Sequence, residues 1–167
     1  HTLALWVVHA HAHDAFDVSP RLALTSATKR CGKTTCLTLT AALVPRPLTT
    51  ANITAAALFR AVEAYKPTLL VDEADTFLNN GEELHGLLNA GHYRPGAYVV
   101  RTVGDEHEAR LFTVWAPVAI AKIGKLPSTL ADRSIEVRLH RRGPGETVER
   151  LRLDKLGQLE HLRRRVA

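Results

Sequence analysis

The chain has 167 residues, of which 46% are hydrophobic and 23% charged, and its net charge is +5. This length and composition are typical of one soluble globular domain with a real hydrophobic core. No apolar run is long enough to cross a bilayer and the first residues lack the features of a signal peptide, so we expect a cytoplasmic location and no membrane partner.

The positive surplus lies at the C-terminal end of the sequence. From Arg138 onward there are nine Lys or Arg residues against four Asp or Glu, whereas residues 1 to 137 contain thirteen of each. A basic tail is one electrostatic mark of a nucleic-acid contact, and a solvated amphipathic helix is the alternative interpretation. The sequence starts with His1 and contains no methionine, so we expect it to be part of a longer protein.

Residues 2 to 16 predict a first helix, with Leu5, Val8 and Trp6 packing against a sheet. On such a helix His9 and His13 lie one turn apart and form a possible metal pair. Two ligands without a third do not make a metal site, so histidines that pack or face solvent are the favoured interpretation.

Residues 21 to 25 predict the first strand, and a tight turn and a helix over residues 33 to 44 follow it. The turn approaches the pattern G-x-x-x-x-G-K-[ST], in which backbone N–H groups and a lysine surround the phosphates of a nucleotide. Ala27 occupies the first glycine position, which is acceptable where the backbone keeps a negative φ. A surface turn that happens to contain Gly-Lys-Thr is the alternative. The predicted nucleotide-binding residues are Thr28, Lys29, Arg30, Cys31, Gly32, Lys33, Thr34 and Thr35.

The two cysteines, Cys31 and Cys36, have no second Cys/His pair at the spacing of zinc ligands, so we expect reduced thiols. Cys31 falls at a predicted helix N-terminus, which can lower the pKa of a thiol and make it oxidisable. An inert structural thiol is the favoured alternative.

A short strand over residues 48 to 51 and a helix over residues 55 to 65 come next, with Thr54 as the N-terminal cap of the helix. The periodicity predicts one apolar face of this helix, which comprises Leu58, Phe59, Val62 and Tyr65.

The second motif is the apolar run 68 to 71, which ends in Asp72 and Glu73. A continuous apolar run is typical of a strand buried on both faces of a parallel sheet, and acids at its carboxyl end lie where such sheets bind ligands. There Asp72 can hold a magnesium ion and Glu73 can polarise the attacking water. We interpret Asp75 as a helix cap.

The remaining sequence predicts a helix at 77 to 90, a β-hairpin at 97 to 103 and 109 to 114, a strand at 116 to 123, a helical turn at 126 to 131 and a strand at 134 to 140. This alternation predicts an α/β fold, a three-layer αβα sandwich with a mostly parallel sheet and a hairpin insertion. Residues 1 to 142 form this domain, with a helix in residues 1 to 20 packing on it. Residues 143 to 167 are predicted to be a linker and a truncated basic helix.

The string Asp72-Glu73-Ala74-Asp75 is also the signature of the DEAD-box RNA helicases. Here only 38 positions separate Thr34 from Asp72, which is room for one helix, one strand and a second helix, whereas that family places much more chain between its motifs. We therefore reject this resemblance.

The compact spacing, the hairpin and the segment 130 to 135 resemble instead the AAA+ and superfamily-3 branch of replicative helicases. Within this branch, residues from about Leu3 to Leu139 are similar to an uncharacterised family of P-loop NTPase domains in phage- and plasmid-type primase–helicase proteins, often carried behind a primase module. The strings that carry the resemblance are SPRLALTS, KRCGKTT, TANIT, VDEADTF, RTVGD and GKLPSTLADRSI.

This resemblance implies a P-loop ATPase that works with Mg²⁺. It implies that Lys33 binds the β- and γ-phosphates, that Thr34 and Asp72 bind magnesium, and that Glu73 activates water. The chain departs from the family at the end of the strand 116 to 123, where Lys122 stands in place of the usual Asn or Thr sensor.

The resemblance also implies that Arg133 is an arginine finger reaching the nucleotide of a neighbouring subunit, because such a cation stabilises the charge on the transferring phosphoryl group. An ion pair of Arg133 with Asp132 or Glu136 is the alternative interpretation.

The expected function is therefore that of an oligomeric, ATP-hydrolysing, helicase-like motor domain that acts on DNA in replication. The DNA contact is expected in the basic tail or in the hairpin, where Arg101 and Arg110 could line a pore, although the tip of the hairpin is acidic. Two alternatives remain. One is a non-catalytic, nucleotide-dependent DNA-binding or assembly module, and the other is a small-molecule or nucleoside kinase.

Overall fold

The computed structural model describes residues 1–74, 82–105 and 107–167. Its helices are α1 Thr2–His11, α2 Lys33–Leu43, α3 Ala55–Tyr65, α4 Glu82–Ala90, α5 Ser128–Ala131 and α6 Glu160–Val166. Its strands are β1 Arg21–Ser26, β2 Pro47–Thr50, β3 Thr68–Val71, β4 Tyr98–Val103, β5 Glu108–Thr113, β6 Val118–Ile123 and β7 Ser134–Leu139. Among these described helices, none has the length and apolar character needed to cross a membrane.

Five strands form one parallel sheet in the order β2-β3-β6-β1-β7, and β4 and β5 form a separate antiparallel hairpin. Because all five strands run in the same direction, their carboxyl ends share one edge of the sheet and their amino ends share the other. We call these the carboxyl edge and the amino edge. The strand β6 lies between β1 and β3, so the two motif-bearing strands are not direct neighbours.

The central strands are buried on both faces, as their continuous apolar runs predict. One cluster of buried side chains lies between the sheet and α3 and α4, and it includes Leu58, Phe59, Val71, Leu84, Leu88 and Ile120. A second cluster lies on the opposite face beneath α1 and α2, and it includes Trp6, Val7, Leu22, Leu24, Leu37 and Ala121. Helices on both faces of a parallel sheet make a three-layer α/β fold, which confirms the predicted fold class at this level.

The prediction for the first helix is wrong in its length and for Leu5 and Val8, and it is confirmed for Trp6. The helix ends at His11, and Leu5 and Val8 are exposed by 70% and 49%, whereas Trp6 and Val7 face the sheet. Apolar residues occur on nearly every side of this helix, so periodicity does not define one face. The buried side is fixed by the Trp6 indole, which donates a hydrogen bond to the Pro20 carbonyl over 3.0 Å.

The helix α3 has the predicted bounds, and the Ala57 N–H donates to the Thr54 hydroxyl, so Thr54 is its cap as predicted. Leu58, Phe59 and Val62 are buried, but Tyr65 is 69% exposed and does not belong to the apolar face. The prediction of Asp75 as a helix cap and the first part of the predicted helix 77 to 90 lie outside the described residues.

The hairpin arginines face the body of the domain. Arg101 donates to the Glu83 carboxylate over 2.6 Å, and its guanidinium lies 5.4 Å from the centre of the Phe59 ring. The guanidinium of Arg110 lies 4.8 Å from the centre of the Phe112 ring, with the Glu63 carboxylate 4.0 Å away. These contacts attach the hairpin to the helices, and the expectation that both arginines line a pore of an oligomer stays a prediction.

The C-terminal segment, residues 141 to 167, also packs on the domain. A 3-10 helix over Leu153–Leu159 continues into α6, and both contact α2. The Arg141 guanidinium donates to the Lys29 carbonyl over 3.1 Å. The predicted linker and basic helix therefore lie against the helix that follows the Gly-Lys-Thr turn.

Candidate functional site at the carboxyl edge

The turn after β1 presents backbone N–H groups at the carboxyl edge of the sheet. Arg30 and Gly32 have left-handed backbone angles, with φ of 63° and 82°, and Gly32 is the residue that precedes α2. The first N–H groups of α2 have no acceptor within the helix, because a helix bonds each N–H to the carbonyl four residues earlier. Together with the positive end of the helix dipole they make a favourable environment for an anion.

Lys33 begins α2, and its ammonium group donates a hydrogen bond to the Ser26 hydroxyl over 2.6 Å. The Ser26 hydroxyl in turn donates to the Thr28 carbonyl over 2.7 Å. The ammonium is thus held over the end of β1, beside the turn. The sequence reasoning did not single out Ser26, although its position as the last residue of β1 was a signal that it could contact the turn.

Cys31 lies in the same turn with its thiol close to the Thr28 hydroxyl, at 3.5 Å, and donating to the Thr28 carbonyl. The pKa of this thiol is lowered, chiefly by its hydrogen bonds with Thr28 and with a smaller contribution from the charge of Lys33. Burial raises the pKa of the Cys36 thiol. Both cysteines are free, as expected from the sequence.

The two acids of the second motif lie at the same edge. Asp72 directly follows β3, and its backbone N–H donates to the Thr50 carbonyl. Leu70 packs in the cluster beneath α2, so the two-residue period of a strand indicates that Asp72 faces α2 as well. The Glu73 N–H donates to the Asp72 carboxylate over 2.9 Å. Glu73 is exposed and has a left-handed φ of 51°, which costs a non-glycine residue about 1 kcal/mol or more.

One strand separates the acids from the turn. Leu22 and Leu70 both pair with Ala119 of β6, and the Ala74 N–H donates to the Ala121 carbonyl, so Asp72 lies across β6 from β1. Two strand spacings amount to about 9.5 Å. Lys122 of β6 pairs with Thr25 between the two motifs and is 6% exposed. A buried lysine therefore occupies the position at which the resemblance leads one to expect Asn or Thr.

Arg133 is at the amino edge, away from the other predicted catalytic residues. It directly precedes β7, and its carbonyl accepts the N–H of Arg21, the first residue of β1. Its guanidinium donates to the Thr129 carbonyl over 2.8 Å. In the described part of the chain no carboxylate lies within 4.0 Å of it, so the alternative of an ion pair with Asp132 or Glu136 is not observed. Glu136 contacts Thr25 and Arg138 instead.

A groove of about 1120 Å³ adjoins the turn on the side of α2. Its walls are the first half of α2, including Thr34 and Thr35, and the C-terminal segment, including Arg142, Arg150 and Val148. The contribution of this segment could not be found from the sequence, because residues more than a hundred positions apart meet here without a local signal.

The histidine pair considered for metal binding is part of a packed region. His13 lies beyond the end of α1, stacks on Trp115 and shares a hydrogen bond with the Ser19 hydroxyl. Within the residues that the structure describes, no group of three or more His, Cys, Asp or Glu side chains has the arrangement of a metal site.

The carboxyl edge thus combines a turn rich in N–H donors, the Lys33 ammonium and two carboxylates at the end of a nearby strand. The predicted binding residues 28 to 35 are contiguous there, with Asp72 and Glu73 across β6, and Arg133 is not among them. Comparison of the chain with protein-family models and with curated protein sequences finds no significant match.

Proposed function

We propose that this chain is a P-loop ATPase domain that hydrolyses Mg²⁺-bound ATP and works as an oligomer on DNA in replication. One observation carries the proposal. The parallel sheet aligns the Gly-Lys-Thr turn and the Asp72-Glu73 pair at one edge, separated only by the strand β6. Open α/β sheets bind their ligands at this edge, and phosphates favour the N-terminus of the helix that starts there.

In this proposal the turn and Lys33 bind the phosphates of ATP. The N–H groups of residues 28 to 35 donate to phosphate oxygens, and the ammonium group neutralises part of their charge. Lys33 would exchange its hydrogen bond with the Ser26 hydroxyl for one with a phosphate oxygen, which its flexible side chain allows. The groove beside α2 offers space for the nucleoside, which extends the contact to the C-terminal segment.

The oxygen atoms of Thr34 and Asp72 are suited to Mg²⁺. This ion prefers oxygen ligands, and proteins bind it through one or two carboxylates together with substrate phosphates. One hydroxyl at the start of α2 and one carboxylate facing α2 match that pattern. When bound, the ion neutralises charge on the β- and γ-phosphates.

Glu73 is proposed to orient and polarise the attacking water. Its exposed carboxylate and left-handed backbone distinguish it from Asp72, which accepts the Glu73 N–H. Backbone strain of this kind is concentrated at functional sites, where the surrounding structure holds a side chain in one direction. The two neighbouring acids therefore take different roles.

Arg133 is proposed to act on the nucleotide of another subunit. The length of β1, six residues, separates it from the carboxyl edge of its own chain by about 20 Å. An oligomer in which the amino edge of one chain approaches the carboxyl edge of the next would bring it into range. DNA is the proposed polymer partner, supported by the positive surplus of the C-terminal segment.

The test measures phosphate release and nucleotide binding with Mg²⁺, with and without single-stranded DNA. We expect Lys33→Ala to abolish ATP binding, because its ammonium is held over the end of β1 beside the turn, where the phosphates are proposed to bind. We expect Glu73→Gln to keep ATP binding and to reduce turnover at least about a hundredfold, as for the loss of a general base.

Arg60→Ala and Glu82→Gln remove one positive and one negative charge at exposed positions of α3 and α4 and serve as matched controls. Turnover by Glu73→Gln at the wild-type rate would refute the role of Glu73. Phosphate transfer to an added hydroxyl compound would favour a kinase. Binding without any hydrolysis by the wild-type oligomer would favour the non-catalytic module.

A further inference from the structure

A second cleft, of about 500 Å³, lies at the amino edge of the sheet. Its walls include the residues that immediately precede β2, β3 and β6, namely Arg46, Pro67 and Pro117. The length of a strand, about 20 Å for six residues, separates it from the Gly-Lys-Thr turn. Since ligands of open α/β sheets bind at the carboxyl edge, this cleft has no part in the proposed hydrolysis.

The cleft carries more positive than negative charge. Arg46, Lys66 and Arg94 line it, against the carboxylates of Asp14 and Glu63. Glu63 is already engaged, because one of its oxygens accepts the Thr113 N–H over 3.0 Å and the other lies 4.0 Å from Arg110. The Arg and Lys side chains of the lining therefore outnumber its carboxylates by three to two, and Arg94 also donates to the Asp14 carbonyl over 2.6 Å.

Two of these cations are held by an unusual backbone. Arg46 and Lys66 have left-handed φ angles of 43° and 45°, although neither is a glycine. They are joined by a 2.7 Å hydrogen bond from the Arg46 Nε to the Lys66 carbonyl, and the Thr68 N–H donates to the Arg46 carbonyl. Lys66 adopts this conformation as the C-terminal cap of α3, where left-handed residues are common, and Arg46 adopts it directly before β2.

An aromatic ring completes the lining. The indole ring of Trp115 lines the cleft and stacks on His13 with 4.2 Å between ring centres. The indole N–H is buried and has no acceptor among the described residues. Because the protein covers this N–H, a molecule in the cleft would contact the ring of Trp115 and not its donor.

We propose that this amino-edge cleft binds a small organic anion through a phosphate or carboxylate group. The cations of Arg46, Lys66 and Arg94 would bind the negative charge, and the ring of Trp115 would contact the same molecule. The volume is in the range of sites for metabolites and mononucleotides. The chain would then bind one ligand at this cleft and the nucleotide at the opposite edge of the sheet.

The test uses Trp115 as its own probe. The chain contains two tryptophans, so a Trp6→Phe variant reports on the cleft alone. AMP, inorganic phosphate and adenosine are added at constant ionic strength. We expect AMP and phosphate to change the fluorescence saturably, and adenosine to have no effect because it lacks negative charge. An equal response to adenosine would overturn the proposal.

Lys66→Gln and Arg94→Gln are each expected to weaken AMP binding about tenfold, the effect of losing one hydrogen bond to a charged group. Lys125→Gln makes the same change of charge at the carboxyl edge and is expected to have less than about a twofold effect. Equal losses in all three variants would indicate general electrostatic attraction and would contradict a defined site.

The Lys33→Ala variant separates this cleft from the nucleotide site. It is expected to keep the Trp115 response, and loss of the response would place the binding at the Gly-Lys-Thr turn instead. Trp6 is buried and hydrogen-bonded, so its replacement can destabilise the fold. Calorimetric titration of the chain with both tryptophans gives the same comparison of variants without that substitution.

Discussion

His13 is 6% exposed, and aromatic and charged groups surround it. The ring of Trp115 stacks on it, His9 approaches it edge-on, and the hydroxyl of Ser19 lies 2.9 Å from its Nε2. Burial, with a smaller contribution from the charge of neighbouring His9, lowers the pKa of His13 from its usual 6.5 to about 4. The folded chain therefore holds this imidazole in its neutral form at neutral pH.

This burial makes the stability of the fold depend on pH. The unfolded chain takes up a proton at His13 near pH 6.5, whereas the folded chain does so near pH 4. The folded chain therefore keeps its full stability above pH 6.5, and protonation of the unfolded chain lowers the free energy of unfolding as the pH falls from 6.5 to 4. At pH 5 the free energy of unfolding should be lower than at pH 7 by about 2 kcal/mol from this group.

Urea unfolding at several pH values measures this effect. Comparison with His13→Gln removes contributions from other groups, including His9 and His92, whose pKa values burial also lowers. We expect the difference in stability between the two proteins to shrink as the pH falls. A difference that is constant between pH 7 and pH 4.5 would contradict a buried neutral His13.

At the scale of elements, Arg21 joins the end of α4 to the sheet. Its guanidinium is 1% exposed and donates to the Leu88 carbonyl over 2.8 Å and to the Ala116 carbonyl over 2.9 Å. Leu88 lies in the last turn of α4, where carbonyl groups lack helical partners and the helix dipole is negative. The buried Arg21 guanidinium therefore pairs with carbonyl oxygens at the negative end of the helix, and not with a carboxylate.

Gly91 permits this approach, and its replacement should destabilise the fold. A Cβ atom at Gly91 would lie 2.4 Å from the Val114 carbonyl oxygen and 2.6 Å from the Arg21 guanidinium. We expect Gly91→Ala to lower the free energy of unfolding by about 2 to 3 kcal/mol through overpacking. Thermal and urea unfolding measure this change.

Gly86, inside α4, is a matched control for Gly91, which directly follows that helix. Nothing lies within 4 Å of a Cβ atom at this position. Gly86→Ala should therefore stabilise α4 by about 0.5 to 1 kcal/mol, because alanine loses less conformational entropy in a helix. If both substitutions changed the free energy of unfolding in the same direction, crowding at Gly91 would not be the cause of its effect.

The elements differ in how well the sequence predicts them. The helix α3 has one clear apolar stripe and a capping threonine, so its bounds and cap follow from local chemistry. The helix α1 is apolar on most sides, and its orientation depends on Trp6 finding the Pro20 carbonyl. Local patterns cannot encode that contact, and the same limit applies to the contact of Arg141 with Lys29.

The candidate site shows the same division. The Gly-Lys-Thr turn and the Asp72-Glu73 pair could be found as strand-end motifs, because polar residues after buried runs fall at one edge of a parallel sheet. The strand β6 and its buried Lys122 lie between the two motifs, and this placement depends on strand order. Strand order is a long-range property, so a single sequence without local signals does not determine it.

At the scale of the whole molecule, the proposed catalytic groups lie at opposite edges of the sheet. Lys33 and Glu73 follow the carboxyl ends of β1 and β3, whereas Arg133 precedes β7. One chain therefore cannot bring Arg133 to its own nucleotide without dismantling the sheet. Hydrolysis that depends on Arg133 requires a second chain.

A mixing experiment tests this dependence. We expect Arg133→Ala to reduce the rate of ATP hydrolysis at least about a thousandfold, as for an arginine finger, and Lys33→Ala to be inactive. A mixture of the two variants should recover activity, because one chain supplies the finger and the other supplies the turn. Arg138 is an exposed arginine of β7, so Arg138→Ala serves as the control and should remain active. A mixture as inactive as its components would exclude action between chains.

The two outermost strands restrict how such chains can meet. The strand β2 begins with Pro47, which has no N–H to donate, and β7 carries the charged side chains of Glu136 and Arg138. Proline and charge on border strands discourage a neighbouring copy from adding its own strand to the ladder. Growth of a continuous sheet from one copy to the next is thereby opposed, so the proposed oligomer would have to form through helices, loops or the hairpin.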